Sequence, residues 1–122
     1  MAKQTVAILG ASNNPSRYAY LAFQKLKQHG HSPVPVNPNL KEIEGINVVA
    51  SLADIKQPVD TLTMYVGPEH SSKLQADILA LKPKRVIFNP GSENPALEAV
   101  LRQAGIPVEE ACTLVLLSTN QF

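Results

Sequence analysis

The chain has 122 residues, of which 44% are hydrophobic and 17% charged, with a formal net charge of +1. That length suits one domain with its own core, and so low a charged fraction excludes a disordered or solvating chain. Scattered Lys and Arg exclude a broad basic face for nucleic acid, and no apolar run reaches the ~18 residues of a membrane span. The N-terminus runs straight into an apolar segment without the h-region of a signal peptide. Cys112 is the single cysteine, so no intramolecular disulfide forms. Together these readings predict a cytoplasmic protein.

Thr5 to Leu9 is a continuous apolar run ending at Gly10, the pattern of a strand buried on both faces. A loop over Gly10 to Ser16 leads into a helix to about Gln28, with Gly30 at its C′ position. Ser32 to Val36 reads as a second strand, although Pro33 and Pro35 fit poorly in a central one. Ile46 to Ala50 predicts a short edge strand, and Ser51 caps a single turn through Ile55. Val59 to Val66 is the third main strand. Gly67-Pro68 opens a helix carrying Leu74, Ile78 and Leu81, with proline at its first position. Lys84 to Phe88 is the fourth strand, Asn94-Pro95 starts a helix to Gly105, and Ile106 to Glu109 is the fifth strand. Thr113 to Leu117 predicts a closing strand or a core strap, with a homodimer surface as the alternative. This alternation specifies an α/β fold of three layers, with a mainly parallel, doubly wound sheet in one domain over residues 1–122.

Ligands of such sheets bind beyond the carboxyl ends of the strands, where strand order reverses. The first loop is therefore the leading candidate. Gly10 ends the strand, Ala11 and Ser12 are small enough for close approach, and Ser12, Asn13 and Asn14 bring side-chain donors. Pro15 and Arg17 complete the loop at a helix N-terminus, which favours an anion. A cation at Arg17 opposes the helix dipole and makes sense with an anion between them. The full G-x-G-x-x-G pattern is absent, as is the acidic residue that would hold an NAD ribose. Val36, Asn37 and Pro38 stand there instead, followed by Lys41. The site suits a nucleotide with an additional ribose phosphate, which both NADP and coenzyme A carry.

The segments Val6 to Arg17, Pro35-Val36-Asn37-Pro38, Ser51 to Ile55 and Pro68-Glu69-His70 resemble the small single-domain CoA-binding protein family over nearly the whole chain. More distantly, they are similar to the N-terminal domain of the succinyl-CoA synthetase alpha subunit. The resemblance implies a Rossmann-type domain that binds coenzyme A or an acyl-CoA. It implies the pyrophosphate at Gly10 to Arg17, and the adenosine side along Val36, Pro38 and Lys41, with Lys41 near the 3′-phosphate. Tyr65-Val66-Gly67-Pro68 corresponds to a segment that surrounds CoA in the synthetase, and Val66 and Pro68 would pack against the adenine or the pantetheine. The phosphohistidine chemistry of the synthetase needs further domains.

Simple readings compete with these. His70 reads as an exposed first-turn residue, Cys112 as a small buried hydrophobe, and Tyr18 and Tyr20 as packing residues, with Tyr18 as a cover over part of the ligand being the alternative. No histidine has metal-ligand spacing with Cys112, and no catalytic residue is identified. The leading function is a non-catalytic binding module: a sensor, a carrier or a detached subunit. The alternatives are an NADP-dependent oxidoreductase and an interaction domain that has lost its ligand.

Overall fold

The computed structural model describes residues 2–122. Its elements in chain order are β1 (Thr5–Leu9), α1 (Tyr18–Gln28), β2 (Ser32–Val36), β3 (Glu42–Ile43), β4 (Ile46–Asn47), β5 (Thr61–Met64), α2 (Pro68–Ser72), α3 (Gln75–Leu81), β6 (Arg85–Phe88), α4 (Pro95–Gln103), β7 (Val108–Glu110) and α5 (Thr113–Ser118). A 3₁₀ turn spans Leu52–Asp54. The main sheet has the order β2-β1-β5-β6-β7 and is parallel throughout. The chain moves from β1 outward to β2, then crosses back to β5 and continues the other way. Right-handed crossovers in opposite directions place helices on opposite faces. This is the doubly wound α/β, Rossmann-like fold, and the reversal between β1 and β5 is its switch point.

Period-two alternation divides the core in two. Ala7 and Leu9 of β1, with Leu62, Met64, Val86 and Phe88, pack against Ile78 of α3 and against Leu97 and Leu101 of α4. Val6 and Ile8 face the opposite side, with Ile87, and pack against Ala19, Phe23 and Leu26 of α1 and Leu117 of α5. The C-terminus of α1 is a Schellman motif: Gly30 N–H donates to Lys27 O (3.0 Å) and His31 N–H to Leu26 O (2.9 Å).

β2 tolerates its prolines because it is an edge strand. Ser32 N–H donates to Gln4 O at 2.8 Å, so with alternation Pro33 and Pro35 face away from β1, where no ladder donor is required. On that outer side Pro35 O accepts from Val49 N–H at 3.0 Å.

Three expectations are corrected. Residues 46–50 do not form one strand. Ile46–Asn47 pairs antiparallel with Glu42–Ile43 across Glu44-Gly45, both at positive φ (49° and 82°), and Val49 makes only an isolated bridge to Val36. The helix after Pro68 breaks at Lys73 and Leu74 into α2 and α3. Residues 113–117 are helical, with Thr113 and Leu117 buried one turn apart and Val115 55% exposed.

Gly10 is the residue the switch point depends on. Its φ is +88°, and a Cβ there would lie 2.8 Å from Val66 Cγ1 and 3.0 Å from Tyr65 O. Steric crowding and left-handed strain act together at this position. At the opposite end of the strands His31 is 4% exposed, and its Nδ1 accepts Gln4 N–H at 3.0 Å. That bond assigns the ring hydrogen to Nε2, which is buried without a partner. Burial holds the His31 pKa below 6.5, with the charges of His29 and Arg85 adding to the effect.

Gly10→Ala lowers stability by about 1–3 kcal/mol in denaturant unfolding, because the new methyl group forces β1 and β5 apart. Neutral His31 contributes stability that is complete above its unfolded pKa near 6.5 and is lost as pH falls toward its lower folded value. His31→Asn retains an acceptor for Gln4 N–H and flattens the fall in melting temperature between pH 7.5 and pH 5.5; an unchanged slope contradicts the assignment.

Candidate functional site

Two clefts open above the carboxyl ends of the strands. The first, of about 590 Å³, lies between the start of α1 and the loop over Pro90, Gly91 and Ser92. The second, of about 400 Å³, lies between the end of β2, the 3₁₀ turn and α2. Gly10, Asn37, Tyr65 and Val66 line both, so the clefts meet at the switch point. No Asp or Glu lines either cleft, whereas Arg17 lines the first and His70 the second.

The first loop spends several of its polar groups on itself. Gly10 N–H and Ala11 N–H both donate to Val36 O at 3.2 Å. Ser12 Oγ accepts from Asn14 N–H at 3.0 Å, and Asn14 Oδ1 accepts from both Ser16 N–H (3.0 Å) and Ser16 Oγ–H (2.8 Å). These side-chain turns set the loop's curvature. Among the described residues, the amides of Ser12, Asn13, Tyr18 and Ala19 have no protein acceptor. Arg17 is the N-cap of α1 and makes no side-chain cap. It is exposed and forms no ion pair among the described residues. The positive end of α1 and the Arg17 guanidinium thus stand together beside the first cleft.

The side chain of Asn37 acts as a brace. Its Nδ2 donates to Ala11 O at 2.8 Å, and its Oδ1 accepts from Asn39 N–H at 2.7 Å. Val36, Pro38 and Asn39 line the second cleft with Leu52, Val66 and Leu74, giving it largely apolar walls. Gly67 lines the first cleft. Asn13, Asn14, Pro15, Lys41 and Pro68 are exposed and lie outside the lining of both.

Further residues line the clefts beside the binding candidates that the sequence singled out. Ser16 and Ala19 line the first cleft. Tyr18 lines it as well, and at 72% exposure it is no packing residue. Ser51, Leu52 and Leu74 complete the second cleft. Tyr65 borders both clefts, and burial raises its pKa to about 12. Cys112 is half-buried at the N-cap of α5, more open than a core hydrophobe.

Residues 4–118 match the family described as the CoA binding domain. The uncharacterized protein YneT of Bacillus subtilis (strain 168) is 30% identical over 100 residues, which are 82% of this chain and 74% of YneT. The crystal structure of an uncharacterized protein matches with a TM-score of 0.95 and 43% identity, covering 100% of both chains. The alpha subunit of ADP-forming acetate–CoA ligase II from Pyrococcus furiosus is 35% identical over 65 residues. That stretch is 52% of this chain and only 14% of the ligase subunit. With the match spanning nearly its whole length, the chain belongs to the CoA binding domain family.

Proposed function

We propose that this chain binds coenzyme A or an acyl-CoA along the joined clefts and works as a binding module without a reaction of its own, as a sensor, carrier or detached subunit. The observation that carries this reading is a groove free of carboxylates that crosses the switch point, with the unpaired amides of Ser12, Tyr18 and Ala19 and the Arg17 side chain on one side. Such a lining favours a polyanion with an elongated body. In this reading the adenosine side occupies the apolar second cleft and the pyrophosphate faces the amides of Ser12, Tyr18 and Ala19. The pantetheine arm then runs through the first cleft toward Pro90 and Gly91. Asn37 holds the loop in position for the ligand, and Lys41 reaches toward the 3′-phosphate from the rim.

Calorimetric titration with CoA, acetyl-CoA, NADP and NAD tests the proposal. The CoA species bind and the two nicotinamide nucleotides do not; preference for NADP would restore the oxidoreductase reading. Arg17→Ala weakens CoA binding by roughly one to two orders of magnitude, the size of a hydrogen bond to a charged group. Lys41→Ala weakens CoA by about twofold to fivefold, as expected of an exposed ion pair, and leaves dephospho-CoA unchanged. An equal loss for both ligands removes Lys41 from the 3′-phosphate.

A further inference from the structure

We propose that the outer face of α1 and α5 is the surface on which two copies of this chain associate, with the two-fold axis running along α5. Among the described residues, Tyr18, Leu21 and Val115 are the large hydrophobic side chains exposed to solvent. Scattered singly over a surface, such residues need no explanation. These three fall on two helices that pack against each other. Both helices begin where a parallel strand ends and return along the sheet, so they run in the same direction. Tyr18 and Leu21 lie in the first turn of α1 and Val115 in the first turn of α5, which sets all three at one level. Leu114 is half-buried beside Val115 and belongs to neither core layer. Tyr18 also lines the first cleft, so the association reaches the rim of that cleft.

Charge selects a second copy as the occupant. Neither edge of the main sheet invites strand addition: β2 carries Pro33 and Pro35, and β7 is three residues long with Glu109 and Glu110 exposed. From Ala111 to Phe122 the chain has no charged residue, so α5 meets its own copy without like-charge repulsion. The charges stand to either side of it. α1 lies over β1 and β2 and bears Lys25 one turn beyond Leu21. α5 lies over β5 and β6, where Thr113 Oγ1 is 2.8 Å from Thr63 Oγ1 and Thr113 N–H donates to Asn89 Oδ1 at 2.9 Å. Beyond it is β7, whose Glu109 is in register with Ile87 and so faces the same side of the sheet as the two helices. Glu109 is bridged to Arg85 at 3.5 Å and is still half-exposed. A two-fold axis along α5 exchanges the two flanks, so Lys25 of each copy stands opposite Glu109 of the other. This is the isologous arrangement, in which one patch complements itself.

Sedimentation equilibrium from micromolar to near-millimolar protein tests the proposal. The wild type shows a monomer–dimer equilibrium. Val115→Lys, at an exposed position, keeps the melting temperature of the dilute protein and weakens association by roughly tenfold or more, because two added cations meet at the axis. Lys25→Glu and Glu109→Lys each weaken association alone, since each sets like charges opposite one another in its own dimer. Mixed in equal amounts, these two variants pair more tightly than either does with itself, because every facing pair is then opposite in charge. A wild type that stays monomeric over the whole range overturns the proposal, and so does a dimer that Val115→Lys leaves intact. A mixture that associates no more tightly than its components overturns the axis along α5.

Discussion

Gly10 brings β1 and β5 closer at their ends than any side chain permits, and the geometry above the sheet follows from that approach. Parallel pairing already sets Leu9 opposite Met64, and the positive φ of Gly10 then turns the chain sharply out of the sheet. Its own amide and that of Ala11 converge on Val36 O, which ties the end of β2 to the same point. Three strand ends are thereby gathered within one turn. The two clefts share their central residues because this turn is the ridge on which both rest.

Three of the four Asn-Pro pairs fasten one segment to another around that ridge. Proline keeps the residue before it extended, which leaves the asparagine side chain free to bridge segments. Asn37 joins the first loop to its own turn. Asn89 donates to Thr63 Oγ1 and Met64 O and accepts from Thr113 N–H, so one amide connects β5, β6 and α5. Asn94 caps α4 through Leu97 N–H and donates to Pro68 O and Ser71 Oγ, which fixes α2 against α4. Each amide is buried or half-buried and has both donor and acceptor engaged, the condition under which a buried polar group is tolerated.

The parallel sheet is legible because its strands are short apolar runs separated by clear breakers, and the switch-point rule points to loops that line the two clefts. What escaped the sequence has physical reasons. Residues 113–117 are apolar and β-branched enough to read as a strand, and packing against α1 decides for a helix by burying Thr113 and Leu117. The strands flanking Glu44-Gly45 are two residues long, too short for any periodicity to show. Nothing resembling a breaker marks Lys73 and Leu74. At the site, residue type announced polar groups at Ser12, Asn14 and Asn37 but could not say that other parts of the loop already use them. Lys41 has suitable chemistry in the sequence, and its place outside both clefts is set by the hairpin that follows it.

The two longest helices begin in contrasting ways, and the contrast bears on the site. α4 starts with a full set of local devices: an Asn94 cap accepting Leu97 N–H, Pro95 at its first position and Glu98 in the first turn. The Glu98 carboxylate also accepts from Asn94 N–H at 3.0 Å. α1 has none of these. Its N-cap is Arg17 with no side-chain bond, and no acid lies in its first turn. A cation at that end is unfavourable for an isolated helix, since it faces the positive pole of the dipole. Departures from local rules of this kind concentrate where a fold serves a ligand. α1 is also the helix whose first residues line the larger cleft, and in the proposed reading the ligand supplies the anion missing from its own sequence. A bound phosphate would cap the free amides, neutralise Arg17 and stabilise the same turn that positions both, which couples ligand affinity to the stability of α1.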